Sequence, residues 1–248
     1  MNAEPIAWVV PCFNEAARLA KAAFLALADQ PASSIVFVDD GSSDETLLRL
    51  REIAAERPER VSVVALPRNR GKAEAIRQGV VHALEGSCNL IGFADADLAT
   101  PVTELKRLAD MIRTGDHDLV VGSRVQLLGR AIHRRHLRHY VGRVFATCAS
   151  LALGLAVYDT QCGAKVFRRS EGLRAAMREP FKSRWAFDVE LLGRLVHPGD
   201  GTAAIPVDRI WEEPLRAWTD VAGSKLGSMA GLRATLDLVR IGWALRRR

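Results

Sequence analysis

Five short apolar runs, separated by helical patterns, constrain the fold of this chain more than any other feature. Continuous runs of this length are typical of strands buried on both faces, as in a parallel sheet. The alternation predicts an α/β fold with a doubly wound, mostly parallel sheet and flanking helices. Between the fourth and fifth predicted strands we expect a helix whose first residue is Pro101 and whose N-cap is Thr100. The five predicted strands are Ile6–Val10, Ile35–Asp39, Val61–Leu66, Leu90–Ala94 and Leu119–Gly122.

The second half of the chain is predicted to be mainly helical. Residues 130–155 have helical periodicity, residues 157–168 form a polar turn leading into a short strand, and Phe187–Val196 is a helix. Leu226–Leu245 is a second basic amphipathic pattern. We therefore predict one domain over residues 1–223, with a basic amphipathic helix at 130–157, followed by an amphipathic C-terminal helix at 224–248.

The net charge of +6 is unevenly distributed along the 248 residues. Residues 130–143 hold five Arg and no acid, and residues 224–248 hold six basic residues and one Asp, so each segment carries +5. The rest of the chain therefore carries −4. The two segments are predicted to lie on an anionic membrane, the alternative being that they cap the sheet with their Arg in solvent. His133, His136 and His139 drift around a helix, which favours a solvated basic face over a metal site.

Several classes of protein are excluded by motifs that are missing. The four Cys form no CxxC pair, so neither a zinc ribbon nor a disulfide scaffold is indicated. No signal peptide is expected, and no run approaches the ~20 apolar residues that span a bilayer. The chain has no GxGxxG, P-loop or nucleophile elbow. A haloacid-type phosphatase is disfavoured because Asp95-Ala96-Asp97 follows the fourth strand instead of the first.

Polar residues follow all five predicted strands, at the edge where an α/β sheet binds its ligand. Turns are commonly rich in such residues, but this explanation weakens when all five turns share the feature. Asp95 and Asp97 are the sharpest case: along an extended chain both carboxylates would point to one side. Two like charges so close favour a cation between them, and Mg²⁺ or Mn²⁺ typically binds one or two carboxylates plus substrate phosphates.

Eight motifs in this order resemble family-2 glycosyltransferases, and more narrowly dolichyl-phosphate mannose synthases and dolichyl-phosphate β-glucosyltransferases. The resemblance covers about residues 6–241. It implies a GT-A fold that binds a nucleotide-sugar and a divalent metal. The motifs are Val10–Glu15, Val38–Asp44, Asn69–Lys72, Asp95–Pro101, Gly122–Arg124, Asp159–Lys165, Trp185–Leu191 and Gly223–Leu226.

The resemblance also implies roles for single residues. Asp95 and Asp97 would hold the metal and, with Asp188, form the catalytic group, while Glu190 lines the site without an assigned role. Arg124, Arg138 and Arg143 would bind the acceptor's phosphate. The donor would be bound by Pro11, Phe13, Glu15 and Asp40 at the base and ribose, by Lys72 and Ala96 near the nucleotide, and by Lys165 and Lys225 at the diphosphate.

Two departures favour the glucosyltransferase branch or bear on the acceptor. Ala99 stands where the mannose synthases usually have Gln, and Gly142 where they have a Ser near the acceptor phosphate. Relatives of the glucosyltransferase branch commonly carry a membrane helix at one terminus, which this sequence does not show. We therefore expect UDP-glucose as donor, with GDP-mannose second, and a cytoplasmic protein held peripherally at the inner face of the membrane.

The expected reaction is an inverting transfer of a hexose to a polyprenyl phosphate. The acceptor oxygen is largely ionised at neutral pH, so the absence of an obvious catalytic His is no obstacle. Positioning and charge stabilisation on the leaving diphosphate would supply the catalysis. A family-2 enzyme with a soluble acceptor and a non-catalytic basic membrane-binding module are the alternatives. Nucleic acid is the least expected partner, because the segment 130–143 has a single aromatic residue, Tyr140.

Overall fold

A seven-stranded sheet with helices on both faces forms the core of the protein. The computed structural model describes residues 3–133, 136–199, 201–220, 237–238 and 240–242, and for residues 133 and 136–141 it describes the backbone alone. The strand order of the sheet is β3-β2-β1-β4-β7-β5-β8. The strands are β1 (Ile6–Cys12), β2 (Ser33–Asp39), β3 (Val61–Ala65), β4 (Leu90–Phe93), β5 (Leu119–Ser123), β7 (Lys165–Arg168) and β8 (Ile210–Pro214).

The helices connect these strands, and a separate two-stranded parallel sheet lies beside them. That small sheet pairs β6 (Ala131–His133) with β9 (Ala217–Thr219). The helices are α1 (Lys21–Ala28), α2 (Thr46–Glu56), α3 (Lys72–Glu85), α4 (Val102–Thr114), α5 (His136–Leu153), α6 (Glu171–Ala176) and α7 (Phe187–Val196).

The predicted α/β fold is confirmed, with all five predicted strands and α7 in place. Two details were wrong. The helical pattern at residues 130–155 begins with strand β6, and the helix itself is α5. Helix α4 begins at Val102 with Pro101 at the cap position and no side-chain cap, so Thr100 does not cap it. Most of the predicted helix Leu226–Leu245 lies outside the described residues and stays a prediction.

One antiparallel strand places a late part of the chain at the ligand-binding edge. Strands β1 to β4 run parallel, so their carboxyl ends share one edge of the sheet. Strand β7 runs antiparallel between β4 and β5, and its first residue therefore lies at that same edge. Lys165 is paired with Phe93 on one side and with Val121 on the other. The fold thus puts Lys165 next to the residues that follow β4.

Helix α5 presents part of its apolar side to the surface. Ala149 and Leu153 are buried against the core, whereas the side chains of Val144 and Leu151 are 67% and 75% exposed. None of the helices that the structure describes is both long enough and apolar enough to cross a bilayer.

Helix α3 lies unusually close to the centre of the sheet because Gly79 faces it. A Cβ at this position would lie 2.4 Å from Val9 Cγ1 and 2.8 Å from Val38 Cγ2. Both valines are fully buried and stiff at χ1, so neither can move aside cheaply. This contact sets the depth of the helix whose first residue is Lys72.

We predict that Gly79→Ala destabilises the protein, although Ala favours a helix. The propensity gain of about 1 kcal/mol is outweighed by overpacking against two valines, which typically costs about 1–3 kcal/mol. Urea unfolding should show a lower free energy of unfolding than in the wild type. Gly86→Ala is the control, since its Cβ would meet only the Ala83 carbonyl at 3.4 Å. A Gly79→Ala protein more stable than the wild type would contradict the close packing.

Candidate active site at the carboxyl edge of the sheet

Asp40 holds the turn that presents Lys72. Its Oδ1 accepts the N–H of Arg70 at 2.7 Å and its Oδ2 accepts the N–H of Gly71 at 2.8 Å. Gly71 has φ +95°, a conformation that L side chains rarely adopt, and α3 begins at the next residue. Both carboxylate oxygens of Asp40 thus already bind the backbone of this turn. The predicted contact of Asp40 with a base and ribose would have to compete with these two hydrogen bonds.

Lys72 and Asp95 form an ion pair at the centre of the site. Lys72 Nζ lies 2.5 Å from Asp95 Oδ1. Desolvation lowers the pKa of Lys72, but the charges of Asp95 and Asp188 outweigh it, and the pKa is raised above its ordinary value. Desolvation likewise raises the pKa of Asp95, but the charge of Lys72, with smaller effects of Arg124 and Lys165, leaves it lowered. Both groups are therefore charged at neutral pH.

Asp97 is close to Asp95 but, within the described part of the chain, forms no ion pair of its own. Burial and then the charge of Asp95 raise its pKa above the ordinary value. Its Oδ1 accepts the N–H of Ala99 at 3.1 Å. The sequence analysis predicted an extended triplet, and this was wrong. Strand β4 ends at Phe93, and the Asp95 carbonyl accepts the N–H of Leu98. A turn, and not strand alternation, brings the two carboxylates together.

The carboxylate pair fits a divalent cation bound jointly with a substrate. No group of three or more His, Cys, Asp or Glu side chains in the described part of the chain forms a complete metal site. Two hard oxygen donors whose mutual repulsion raises the pKa of Asp97 are suited to Mg²⁺ or Mn²⁺, with phosphate oxygens completing the shell. Lys72, the present partner of Asp95, lies where it could also contact such a phosphate.

Gly163 makes room for the Asp95 carboxylate. A Cβ at Gly163 would lie 2.0 Å from Asp95 Oδ2 and 2.4 Å from its Cγ. Because real Cβ contacts are never so short, any other residue here would displace the carboxylate. The sequence showed Gly163 only as part of the Asp159–Lys165 motif and gave no sign of this role.

Lys165 and Asp188 form a buried ion pair beneath the Lys72–Asp95 pair. Lys165 Nζ donates to Asp188 Oδ1 at 2.5 Å and to the Cys162 carbonyl at 2.6 Å, and its side chain is 1% exposed. Such a pair is costly to break, because the remaining charge would be uncompensated. Because the Lys165 ammonium is buried and bonded to Asp188, its predicted contact with a diphosphate stays a prediction.

The Glu190 carboxylate bonds protein groups with both of its oxygens, so its role in this structure is structural. Its Oε1 pairs with Arg194 at 2.7 Å, and its Oε2 accepts the N–H groups of Lys182 and Ser183. The carboxylate thereby fixes the segment that leads into α7, the helix that carries Asp188.

Arg124 and Arg143 line one cavity of about 100 Å³. Arg124 forms a two-pronged ion pair with Asp159, with distances of 2.7 and 2.8 Å, and its guanidinium lies over the Trp218 ring. Arg143 donates a hydrogen bond to the Tyr158 hydroxyl, and its guanidinium lies over the Tyr158 ring. The structure therefore brings together two of the three arginines predicted for an acceptor phosphate. The side chain of Arg138 lies outside the described residues, as does Lys225.

The loop after β1 is tied to the loop after β2. The N–H of Asn14 donates to Ser42 Oγ at 3.0 Å, and the N–H of Glu15 donates to Thr46 Oγ1 at 2.8 Å. Pro11 lies opposite Val38 in the sheet, and Phe13 directly follows β1. The predicted residues Pro11, Phe13 and Glu15 are thus held at one corner of the ligand-binding edge.

Two buried carboxylate oxygens at this corner lack a hydrogen-bond partner within the described structure: Glu15 Oε2 and Asp39 Oδ1. Buried acceptors without a donor are costly, so they indicate a ligand with N–H or O–H groups. Asp39 was not among the predicted site residues, because it ends an apolar run and looked like part of the strand. Ala96, which was among them, is buried behind the carboxylate turn.

Comparison with known proteins identifies the family of the chain. Residues 7–181 match the model of glycosyl transferase family 2. A dolichyl-phosphate beta-glucosyltransferase of Trichomonas vaginalis is 30% identical, with 94% of this chain and 69% of the relative covered. The enzyme of that name from Saccharomyces cerevisiae is 30% identical (95% and 73% covered), and that from Homo sapiens 31% (88% and 68% covered).

Solved structures confirm the expected GT-A fold. Glucosyl-3-phosphoglycerate synthase from Mycobacterium tuberculosis with Mn²⁺ and UDP-glucose superposes with a TM-score of 0.66 at 22% identity, covering 96% of this chain and 79% of that one. Its complex with Mn²⁺, UDP and glucosyl-3-phosphoglycerate gives a TM-score of 0.67 at 19% identity, covering 98% and 80%.

We predict that Gly163→Ala weakens Mn²⁺ binding while leaving the fold intact. The added methyl group pushes the Asp95 carboxylate away from its position, and displacing a ligand in this manner typically costs about 10- to 100-fold in metal affinity. Calorimetric titration with Mn²⁺ and thermal unfolding would measure both effects. Gly86→Ala is again the control, and an unchanged Mn²⁺ affinity of Gly163→Ala would show that Asp95 is not a metal ligand.

Proposed function

The chain belongs to glycosyl transferase family 2, and we propose that it is an inverting hexosyltransferase that moves glucose from UDP-glucose to a polyprenyl phosphate. One observation carries this proposal: the Asp95–Asp97 carboxylate pair lies at the same edge of the sheet as a cavity lined by two arginines. A cation site for the donor and an anion site for the acceptor are what such a transfer requires. The names of the relatives favour glucose and a dolichyl-type acceptor.

The donor would bind across the ends of β1, β2 and β4. Asp95 and Asp97 would hold Mg²⁺ or Mn²⁺, which when bound stabilises negative charge on the leaving diphosphate. Lys72 lies 2.5 Å from Asp95 and supplies a fixed positive charge at the same place. Glu15 Oε2 and Asp39 Oδ1, the two unpartnered acceptors, would receive N–H or O–H groups of the nucleoside, with Pro11 and Phe13 beside them.

The acceptor phosphate would bind in the cavity between Arg124 and Arg143. An ionised phosphate oxygen is already a nucleophile, so these residues need only position it and no general base is required. Direct attack at the anomeric carbon inverts its configuration and gives a β-linked product from an α-linked donor. Asp188 would act by holding Lys165 in place through a hydrogen bond and by raising the pKa of Lys72, which keeps Lys72 charged.

A soluble phosphorylated acceptor is the second candidate. The similar solved structures include complexes with phosphoglyceric acid, and a cavity of about 100 Å³ accommodates a phosphate group from either source. The exposed apolar side of α5 favours the lipid, because Val144 and Leu151 lie on the helix that carries Arg143. The non-catalytic alternative is not retained, because the chain belongs to a family of transferases and its carboxylate pair is in place.

We predict transfer of glucose from UDP-glucose to a polyprenyl phosphate in the presence of Mn²⁺, and loss of this activity in Asp97→Ala. Removing a group that stabilises charge in the transition state typically lowers the rate by about 100-fold or more. Product analysis would compare UDP-glucose with GDP-mannose, and polyprenyl phosphate with phosphoglyceric acid.

Asp110→Ala is the matched control for Asp97→Ala, because Asp110 is an exposed carboxylate on α4 that pairs with Lys106. Metal-dependent transfer that survives in Asp97→Ala would refute the metal site. Transfer by the wild type to phosphoglyceric acid alone would refute the lipid acceptor.

We further propose that the protein acts at the inner face of a membrane, and we predict binding to anionic vesicles that weakens with salt. Replacing both Val144 and Leu151 by Ser should lower the binding constant at least about tenfold, because each buried side chain of this size contributes about 1.5 kcal/mol or more. Sedimentation with vesicles at low and high salt would measure it. Leu48→Ser is the control, since Leu48 is 57% exposed on α2. Absence of binding at low salt would refute the proposal.

A further inference from the structure

Glu212 binds the backbone of the turn that carries both anchors of the anion cavity. It lies in β8, opposite Val121 of β5. Its Oε2 accepts the N–H of Tyr158 and its Oε1 accepts the N–H of Asp159, each at 2.7 Å. Hydrogen bonds to an ionised acceptor are shorter and stronger than neutral ones. One carboxylate thereby fixes two successive peptide groups.

Those two residues are the ones that orient the arginines of the cavity. The Tyr158 hydroxyl accepts a hydrogen bond from Arg143, and its ring lies 5.1 Å from that guanidinium carbon. Asp159 accepts hydrogen bonds from Nε and Nη2 of Arg124 and from its backbone N–H. A shift of the 158–159 turn would therefore move both guanidinium groups at once.

We propose that Glu212 is a positioning residue for the phosphate-binding cavity, acting through Tyr158 and Asp159 without touching the ligand. This inference rests on the proposed function in so far as the cavity takes an acceptor phosphate. It predicts a defect confined to that side of the site. Donor and metal binding depend on β1, β2 and β4, whereas the side-chain hydrogen bonds of Glu212 within the described structure go to residues 158 and 159.

The next residue supplies a matched control. Glu213 lies on the other face of β8, where its Oε1 pairs with Arg107 at 2.5 Å and its Oε2 accepts the Trp211 indole N–H at 3.0 Å. Glu212 and Glu213 thus share charge, size, strand and edge position, but only the first bonds the turn beneath the cavity. A general effect of removing a carboxylate from β8 would appear in both variants.

The experiment compares Glu212→Gln, Glu212→Ala and Glu213→Gln with the wild type. Calorimetric titration measures the Kd of farnesyl phosphate, of inorganic phosphate and of UDP-glucose with Mn²⁺. Hydrogen exchange measures protection of the Tyr158 and Asp159 amides. Glutamine keeps one acceptor oxygen but turns an NH₂ group toward the second N–H, so the turn loses one bond and gains a repulsive contact.

We expect both Glu212 variants to weaken binding of the two phosphate probes about tenfold, since an N–H is left unsatisfied. Exchange at residues 158–159 should accelerate, while the Kd of UDP-glucose and all values for Glu213→Gln stay within about twofold of the wild type. Unchanged phosphate affinity in Glu212→Gln would overturn the inference, as would equal losses for donor and phosphate. A wild-type protein that binds neither of the two phosphate probes would also overturn it.

The outcomes separate this inference from the proposed function. If the wild type binds inorganic phosphate but not farnesyl phosphate and transfers no glucose to a polyprenyl phosphate, the lipid acceptor is wrong. The role of Glu212 would still be decided by the Kd of inorganic phosphate in its variants.

Discussion

Electrostatic repulsion among carboxylates at one edge of the sheet is the constraint on which the rest of the structure depends. Asp40, Asp95, Asp97 and Asp188 all lie there, and each needs compensation. Asp40 obtains it from two backbone N–H groups, Asp95 from Lys72 and Asp188 from Lys165. Asp97 has no such basic partner within the described structure, and burial and the charge of Asp95 raise its pKa, so the charge left uncompensated lies where a cation would bind.

The cavity proposed to bind the acceptor, lined by Arg124 and Arg143, is organised by the opposite rule. Each of these cations is held by an anion or an aromatic ring. Arg124 is held by Asp159 and Trp218, and Arg143 by Tyr158. Guanidinium groups that are held in this way keep their charge but lose freedom, which reduces the entropy lost when a phosphate binds. Donor and acceptor sides are thus pre-organised by different means within one network.

The sequence predicted much of the fold because a buried parallel sheet leaves continuous apolar runs. It also predicted that Asp95 and Asp97 lie close together, because a DxD triplet follows one of those runs. It could not predict contacts between distant segments. Nothing local marks Glu212 as the partner of residues 158–159, or Gly163 as the residue that gives Asp95 its space. Asp40 shows the same limit: the family resemblance suggested a contact with the base and ribose, and nothing local indicated that both its carboxylate oxygens bind the backbone of the Lys72 turn.

The antiparallel strand β7 has a consequence for how such enzymes can diversify. Val121 and Lys165 are neighbours in the sheet, and the Gly122 N–H bonds the Ala164 carbonyl. The 41 residues from Arg124 to Ala164, between β5 and β7, therefore leave and re-enter the sheet at one point. Loops whose ends are close tolerate changes of length and content at small cost. That segment carries Arg124, Arg143 and Asp159. If the proposed roles hold, evolution could change the acceptor by altering this one segment, while the first half of the chain, proposed to bind the sugar nucleotide, stays unchanged.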